Sequence, residues 1–288
     1  MPSGEIGLVG LGIMGKPMAR NMMEAGYSVT VFDLVGSAME EVVTDGANAA
    51  SSAKEVAEAA PVVITMVPDS PQSEAAILGP NGVLEGASAG SVVIDMSSIA
   101  PGSSQKIAAA CEAAGVAFLD APVSGGEPGA VAGTLAIMVG GKQDVFDTQL
   151  ELLESMGGSI VLCGDYGAGN TTKLANQIIV AANIEAVGEA FTLAKKAGLD
   201  PNVVFEAIKG GLAGSTVLNA KGPMMMSGDF TPGFRINLHR KDLNNALITG
   251  QQLGVSLPVT ALVQQMIVSL VNSGEGDSRA RIGSGSGS

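Results

Sequence analysis

The chain has no tryptophan, only two tyrosines and seven phenylalanines, so aromatic residues make up 3% of it while hydrophobic residues reach 46%. A core so poor in rings has to be assembled from Ala, Val, Ile, Leu and Met, and Ala-rich helices are expected. Cysteine is scarce as well. Cys111 and Cys163, far apart and in apolar surroundings, make neither a disulfide framework nor a metal-ligand spacing, and both are expected to be buried packing residues. His239 is the single histidine; no serine elbow or metal-ligand partner accompanies it, so it is read as a structural or surface residue and no metal site is assigned. Basic residues number 15 against 28 acidic ones, a net charge of -13, which opposes a nucleic-acid or anionic-membrane partner. An anionic ligand must therefore find local donors. No leader of either common kind opens the chain and no unbroken apolar run spans a bilayer, so a cytoplasmic location is expected.

What the chain does have is 40 glycines, and three of them are placed with a purpose. Ile6 to Val9 is a short apolar run of strand character, broken by Gly10-Leu11-Gly12-Ile13-Met14-Gly15, after which helical spacing resumes through Met18 and Met22. That order makes a dinucleotide fingerprint: Gly10 for the tight turn, Gly12 for close approach of a pyrophosphate, Gly15 for close packing of helix on strand. The pyrophosphate would rest on the helix N-terminus. A second strand, Ser28 to Phe32, ends at Asp33, where the fingerprint places the acid that binds the ribose hydroxyls. An acid there repels a 2'-phosphate, and Leu34 to Ser37 supply no arginine, so NAD is preferred to NADP.

With 288 residues the chain has room for two ordinary domains. From Ile6 to Cys163, strand-like runs at 62–67, 91–95, 116–119, 134–139 and 159–163 alternate with Ala-rich helices such as 54–60 and 103–114, the signal of a parallel sheet. After Gly164 the alternation stops. A long helix is predicted over 171–196, followed by helices over 201–209, 237–253 and 258–271. The expected organisation is a dinucleotide-binding α/β domain over 1–164, an all-helical domain for substrate and oligomerisation over 165–282, and a Gly-Ser linker at 283–288.

Reduction of a carbonyl by a nicotinamide needs a proton donor beside the carbonyl oxygen. Lys173, expected in the first turn of the long helix, is the candidate, because the positive end of the macrodipole there lowers an amine's pKa. Ser124-Gly125-Gly126 reads from spacing alone as either an anion cradle for a substrate carboxylate or an ordinary turn. Asn176 lies one turn on from Lys173 and can orient substrate or lysine. Lys241 and Asp242 put a cation and an acid together near a helix start, toward the nicotinamide or on a solvated face. Met224 to Met226 is pliable packing.

Together these residues carry a resemblance to the β-hydroxyacid dehydrogenase family, that of 3-hydroxyisobutyrate dehydrogenase and tartronate semialdehyde reductase. The Gly10 to Asn21 segment matches the family's cofactor signature, Asp120 to Gly126 its substrate loop, Gly167 to Asn176 its catalytic-lysine segment and Lys241-Asp242 its second cofactor-side motif. Glu127-Pro128, the 210–216 segment and Lys173 to Gln177 resemble the tartronate semialdehyde reductase branch most closely. The resemblance implies a Rossmann-type N-terminal domain joined by a long helix to an all-α domain, and a homo-oligomer, dimer or tetramer. It implies Lys173 as general acid, with Ser124, Gly125, Gly126, Asn176 and Gln177 on a small oxo or hydroxy acid. On the cofactor it places the residues from Gly10 to Gly15 (Leu11, Gly12, Ile13 and Met14 between them), together with Asp33, Met66, Val67, Pro68, Ser98 and Lys241. The implied reaction is reversible NAD-dependent reduction of 2-hydroxy-3-oxopropanoate to glycerate. The alternatives are a 3-hydroxyisobutyrate or succinic semialdehyde activity, or a silent nucleotide-binding module. Two departures stand out: Gln177 where relatives carry a second asparagine, and the 276–281 segment where relatives continue in a further helix.

Overall fold

The structure, a computed structural model, describes residues 4–229 and 234–276. The expected 283–288 linker and most of the divergent 276–281 segment lie outside them. The chain divides into two compact units between Lys173 and Leu174.

The first unit is built on one sheet whose strands are β1 (Glu5–Val9), β2 (Ser28–Phe32), β3 (Asn48–Ala49), β4 (Val62–Thr65), β5 (Val92–Asp95), β6 (Ala117–Asp120), β7 (Val123–Ser124), β8 (Leu135–Gly141) and β9 (Gly157–Gly164). Strands β3-β2-β1-β4-β5-β6 lie side by side and all parallel. This is the order of a Rossmann-type sheet, reversing at β1. Beyond β6 the direction changes. β8 runs antiparallel to β6 and to β7, and β9 joins β8 in parallel at the edge.

Each central strand is short and apolar because it is buried on both faces. Successive side chains point to opposite sides, so the register lines them up in rows. Val63, Val93 and Phe118 form one row and pack with Val56, Ile107 and Cys111 beneath the helices Ala53–Ala59 and Pro101–Ala113. Ile64, Ile94 and Leu119 form the next row on the other face, with Met18 and Met22 of the helix Gly15–Glu24. Each such side chain contributes roughly 1.5–3 kcal/mol on leaving water. The third row, at the carboxyl ends of the strands, is polar: Thr65, Asp95 and Asp120.

The second unit is helical, as expected. The long helix Ala168–Lys196 runs into it and is followed by Pro201–Ile208, Thr216–Ser227, Ile236–Gln252 and Pro258–Leu270. Ala181, Ile184, Ile236, Leu243, Val263 and Ile267 form its main core, and Val187, Phe191 and Leu218 a second cluster in which Met225 and Met226 do pack.

Several expectations need correction. The long helix starts at Ala168 rather than Thr171, so Lys173 stands in its second turn, where the macrodipole acts less strongly than at the first. Cys111 is buried, its thiol pushed up to about 12 by burial, but Cys163 is only half-buried because β9 is an edge strand. The strands β3 and β7 and the helix Thr216–Ser227 escape periodicity. The long helix also meets the length and hydropathy of a membrane span, although Asn170, Lys173, Asn176, Gln177 and Glu185 would be costly in lipid.

The polar row sets a pH dependence. Asp95 is fully buried and burial raises its pKa, against hydrogen bonds from the Ser97 N–H at 3.0 Å and the Thr65 hydroxyl at 2.9 Å, both to Oδ1. Asp120 is pushed up to about 6, again chiefly by burial. A carboxyl whose pKa is raised by folding holds its proton where the unfolded chain has released it. The native state therefore loses stability as pH rises from the ordinary carboxylate range through about 6. Asp95→Asn keeps an acceptor for both donors and removes the ionisation. Thermal melting is expected to show the variant gaining a few degrees over the parent at pH 8, with the gain shrinking toward pH 4; a loss at pH 8 equal to that at pH 4 would show that Asp95 does not titrate across this range.

Candidate active site

The glycine loop leaves β1 at Val9 and delivers the helix Gly15–Glu24. Its glycines are required for three different reasons. Gly10 has φ +99° and its N–H donates to the Phe32 carbonyl at 2.9 Å; a Cβ there would come 2.3 Å from the Met66 carbonyl oxygen. A Cβ on Gly15 would come 2.0 Å from the Gly10 carbonyl oxygen, so that glycine permits the closeness of helix to loop. A Cβ on Gly12 would meet no atom within 4 Å. The space there is open, and with the fingerprint spacing around it a pyrophosphate can approach bare backbone. Leu11 is buried and its N–H is taken by Asp33, Ile13 is exposed and Met14 half-buried. No side chain caps the helix at Met14; the Lys16 N–H turns back to the Gly12 carbonyl at 3.2 Å and Pro17 has none, so of the first three helical residues Gly15 is the one whose N–H can serve an anion.

Asp33 follows β2 directly. Its Oδ2 accepts from the Leu11 N–H at 2.6 Å and its Oδ1 from the Val35 N–H at 2.7 Å, which ties the end of β2 to the glycine loop. Met66, Val67 and Pro68 leave β4, and the Val67 N–H donates to Ser97 Oγ at 2.9 Å, next to half-buried Ser98. Since Ser97 donates its own N–H to Asp95, the buried acid holds the two loops beyond β4 and β5 in place.

β6 ends at Asp120 and continues through Ala121-Pro122 into β7 and then Gly125 and Gly126, whose φ angles are +136° and +61°. Ser124 is half-buried, paired across to Ala136 of β8, and the two glycines are exposed. Left-handed glycines after a strand present their N–H groups outward, as an anion cradle requires.

The Asp120 carboxylate turns away from this loop. Its Oδ1 accepts from the Gly167 N–H at 2.7 Å and its Oδ2 from the Asn170 N–H at 2.8 Å. Asn170 is itself buried, accepting from the Ile99 N–H at 2.9 Å and donating to Ser104 Oγ at 3.0 Å. One turn on stands Lys173, 6% exposed. The strand-borne acid, absent from the sequence-based assignment, could have been suspected from Val92-Val93-Ile94-Asp95 and Ala117-Phe118-Leu119-Asp120, two apolar strands that both end in aspartate.

The remaining candidates belong to the second unit. Asn176 Nδ2 donates to Gln177 Oε1 at 2.8 Å, Gln177 Nε2 donates to Asp242 Oδ2 at 2.6 Å, and Lys241 Nζ lies 3.1 Å from Asp242 Oδ1. Gln177, Asp242 and Lys241 are largely buried, so this cation is no solvated surface charge. At i+4 from Lys173, Gln177 shares the lysine's helix face, as does half-buried Asn176 at i+3. His239 is wholly buried with its ring edge-on to Phe234 at 5.3 Å, a structural residue.

A Rossmann-type sheet, a glycine loop open at its middle glycine and an acid at the end of the second strand define a dinucleotide-dependent enzyme. Comparison with known proteins gives the family. Residues 5–164 match the model for the NAD binding domain of 6-phosphogluconate dehydrogenase, and residues 167–281 that for the NAD-binding region of NADP-dependent 3-hydroxyisobutyrate dehydrogenase. The chain is 46% identical over 262 residues to 2-hydroxy-3-oxopropionate reductase of Escherichia coli, covering 91% of this chain and 89% of that one. It is 41% identical over 263 residues to 2-(hydroxymethyl)glutarate dehydrogenase of Eubacterium barkeri, covering 91% and 87%. Among solved structures, 3-hydroxyisobutyrate dehydrogenase of Mycobacterium tuberculosis with L-serine superposes with a TM-score of 0.89 at 33% identity, covering 96% and 97%. The chain belongs to the 3-hydroxyisobutyrate dehydrogenase-like family of β-hydroxyacid dehydrogenases, and is a nicotinamide-dependent oxidoreductase.

The glycine loop yields a paired prediction. Gly12→Ala is expected to leave the melting temperature within about 1 °C, since the new methyl meets no protein atom, while weakening NADH binding roughly tenfold or more. Gly10→Ala is expected to destabilise the fold itself. Fluorescence titration and melting of both proteins check this; unchanged NADH affinity in Gly12→Ala would remove the pyrophosphate from that loop.

Proposed function

We propose that the protein catalyses reversible NAD-dependent reduction of a small 3-oxo acid, 2-hydroxy-3-oxopropanoate to glycerate, with Lys173 as general acid and base. The observation that carries this reading is the double role of Asp120. Its strand runs on into the Ser124 to Gly126 loop, and its carboxylate grips the start of the helix that bears Lys173. A cradle for a carboxylate and a sheltered amine are thus built from one point of the sheet.

In the reaction a bound nicotinamide supplies the hydride. Ser124 and the N–H groups of Gly125 and Gly126 hold the substrate carboxylate, which the net charge of -13 would otherwise repel. Lys173 donates its proton to the carbonyl oxygen as that oxygen gains charge, and takes it back in the reverse direction. Asn176 and Gln177 orient the substrate from the same helix face. Met66, Val67, Pro68 and Ser98 line the cofactor. Asp33, where an added phosphate would be repelled, supports NAD over NADP.

The substrate assignment is supported by the 46% identity to 2-hydroxy-3-oxopropionate reductase, higher than the 41% and 33% to relatives named for other acids. The reading also takes the protein as a cytoplasmic homo-oligomer. Two free thiols suit a reducing compartment, and Ile179, Leu193 and Val203 stand exposed on the helical unit.

A spectrophotometric panel of semialdehydes with NADH and NADPH tests the assignment. The highest kcat/KM is expected for 2-hydroxy-3-oxopropanoate with NADH; faster turnover of methylmalonate or succinic semialdehyde would move the substrate to that acid. Lys173→Ala is expected to lose about 10²–10⁴-fold in kcat while binding NADH as before. A variant that keeps most of its turnover would dismiss Lys173 as the acid.

A further inference from the structure

The long helix lacks a local N-cap of the usual kind. Gly167 precedes Ala168, and no serine, threonine or aspartate next to them caps the first turn. The acceptor comes instead from Asp120, 47 residues away from Gly167 and 50 from Asn170, with one carboxylate oxygen for each N–H at 2.7 and 2.8 Å.

The joint is also made without slack. A Cβ on Gly169 would lie 2.3 Å from the Met138 carbonyl oxygen and 2.5 Å from that of Asp120. A Cβ on Gly140 would lie 2.4 Å from Asp120 Oδ1 and 2.7 Å from the Gly169 nitrogen. The start of the helix therefore rests directly on the backbones of β6 and β8. On its other side Asn170 is clamped between the Ile99 N–H and Ser104. Three residues beyond Asn170, an axial rise of about 4.5 Å, comes Lys173.

We propose that Asp120 is a positioning residue for the reaction, its carboxylate setting the height and rotation of the helix start and hence where the Lys173 amine stands relative to the loop that leaves the same strand. An acid fits this task better than an amide. Both oxygens of a carboxylate accept, whereas asparagine offers one acceptor and turns an NH₂ toward the second N–H. The inference rests on the reading of Lys173 as general acid, and the experiment separates the two.

Steady-state kinetics with NADH are measured for Asp120→Asn, Lys173→Ala and the parent, with folding checked by circular dichroism and NADH affinity by fluorescence titration. For Asp120→Asn a 10–100-fold loss in kcat is expected, the roughly 10²-fold cost of an ångström-scale misplacement being the upper end, with NADH affinity and the oxo-acid KM within about threefold of the parent. If Asp120→Asn does not fold, Asp120→Glu is read in its place, because it keeps the charge and both acceptor oxygens while displacing them by one methylene. A folded variant with kcat within about twofold of the parent overturns the inference, and so does a variant whose NADH affinity falls as far as its kcat, since that is general structural damage. Should Lys173→Ala remain active, the lysine's role fails; should it be inactive while the Asp120 variant turns over normally, only the positioning role fails.

Discussion

A carboxylate buried at the end of β6 accepts the N–H groups of Gly167 and Asn170 at the start of the long helix, and much of the site's geometry hangs on that junction. A parallel sheet brings the ends of its strands to one edge, and there the apolar rows that hold the fold give way to Thr65, Asp95 and Asp120. Burying acids is costly unless donors surround them. Here the donors are the backbone groups of the loops and the helix that carry the candidate chemistry, so satisfying the acids also orders the site. Hydrogen bonds to a charged acceptor contribute about 1.5–3 kcal/mol each. The high pKa values that burial gives these acids are the corresponding cost.

The cofactor side is organised by absence of side chains. Gly10 and Gly15 are needed because the protein touches itself, whereas Gly12 leaves its side of the loop open. Asp33 then fastens the loop to the next strand through Leu11, so the acid assigned to the ribose also braces the glycine turn.

Much of this was legible in the sequence, for physical reasons. Strands buried on both faces read as unbroken apolar runs, and the glycine spacing identifies its loop because each glycine answers a separate steric demand. The elements that escaped lack such signals. β3 and β7 are two residues long and have no period to detect. The long helix begins three residues before its periodicity shows, because Ala168-Gly169-Asn170 reads as a break. Its cap comes from Asp120, distant in sequence, and its glycine is there to clear the sheet. Cys163 lies in an apolar stretch, but β9 has a partner on one side alone. Gln177 departs from the family's asparagine, and its hydrogen bond to Asp242, 65 residues on, has no signal along the chain.

The proposed reaction requires that one small acid lie on the Ser124 to Gly126 loop and within reach of the Lys173 amine. A crystal structure of the protein with NAD and glycerate measures this directly. The carboxylate is expected on the N–H groups of Gly125 and Gly126, with the Lys173 Nζ about 3 Å from the substrate hydroxyl that is oxidised. A bound acid whose hydroxyl faces another side chain, with the lysine turned away, would contradict it.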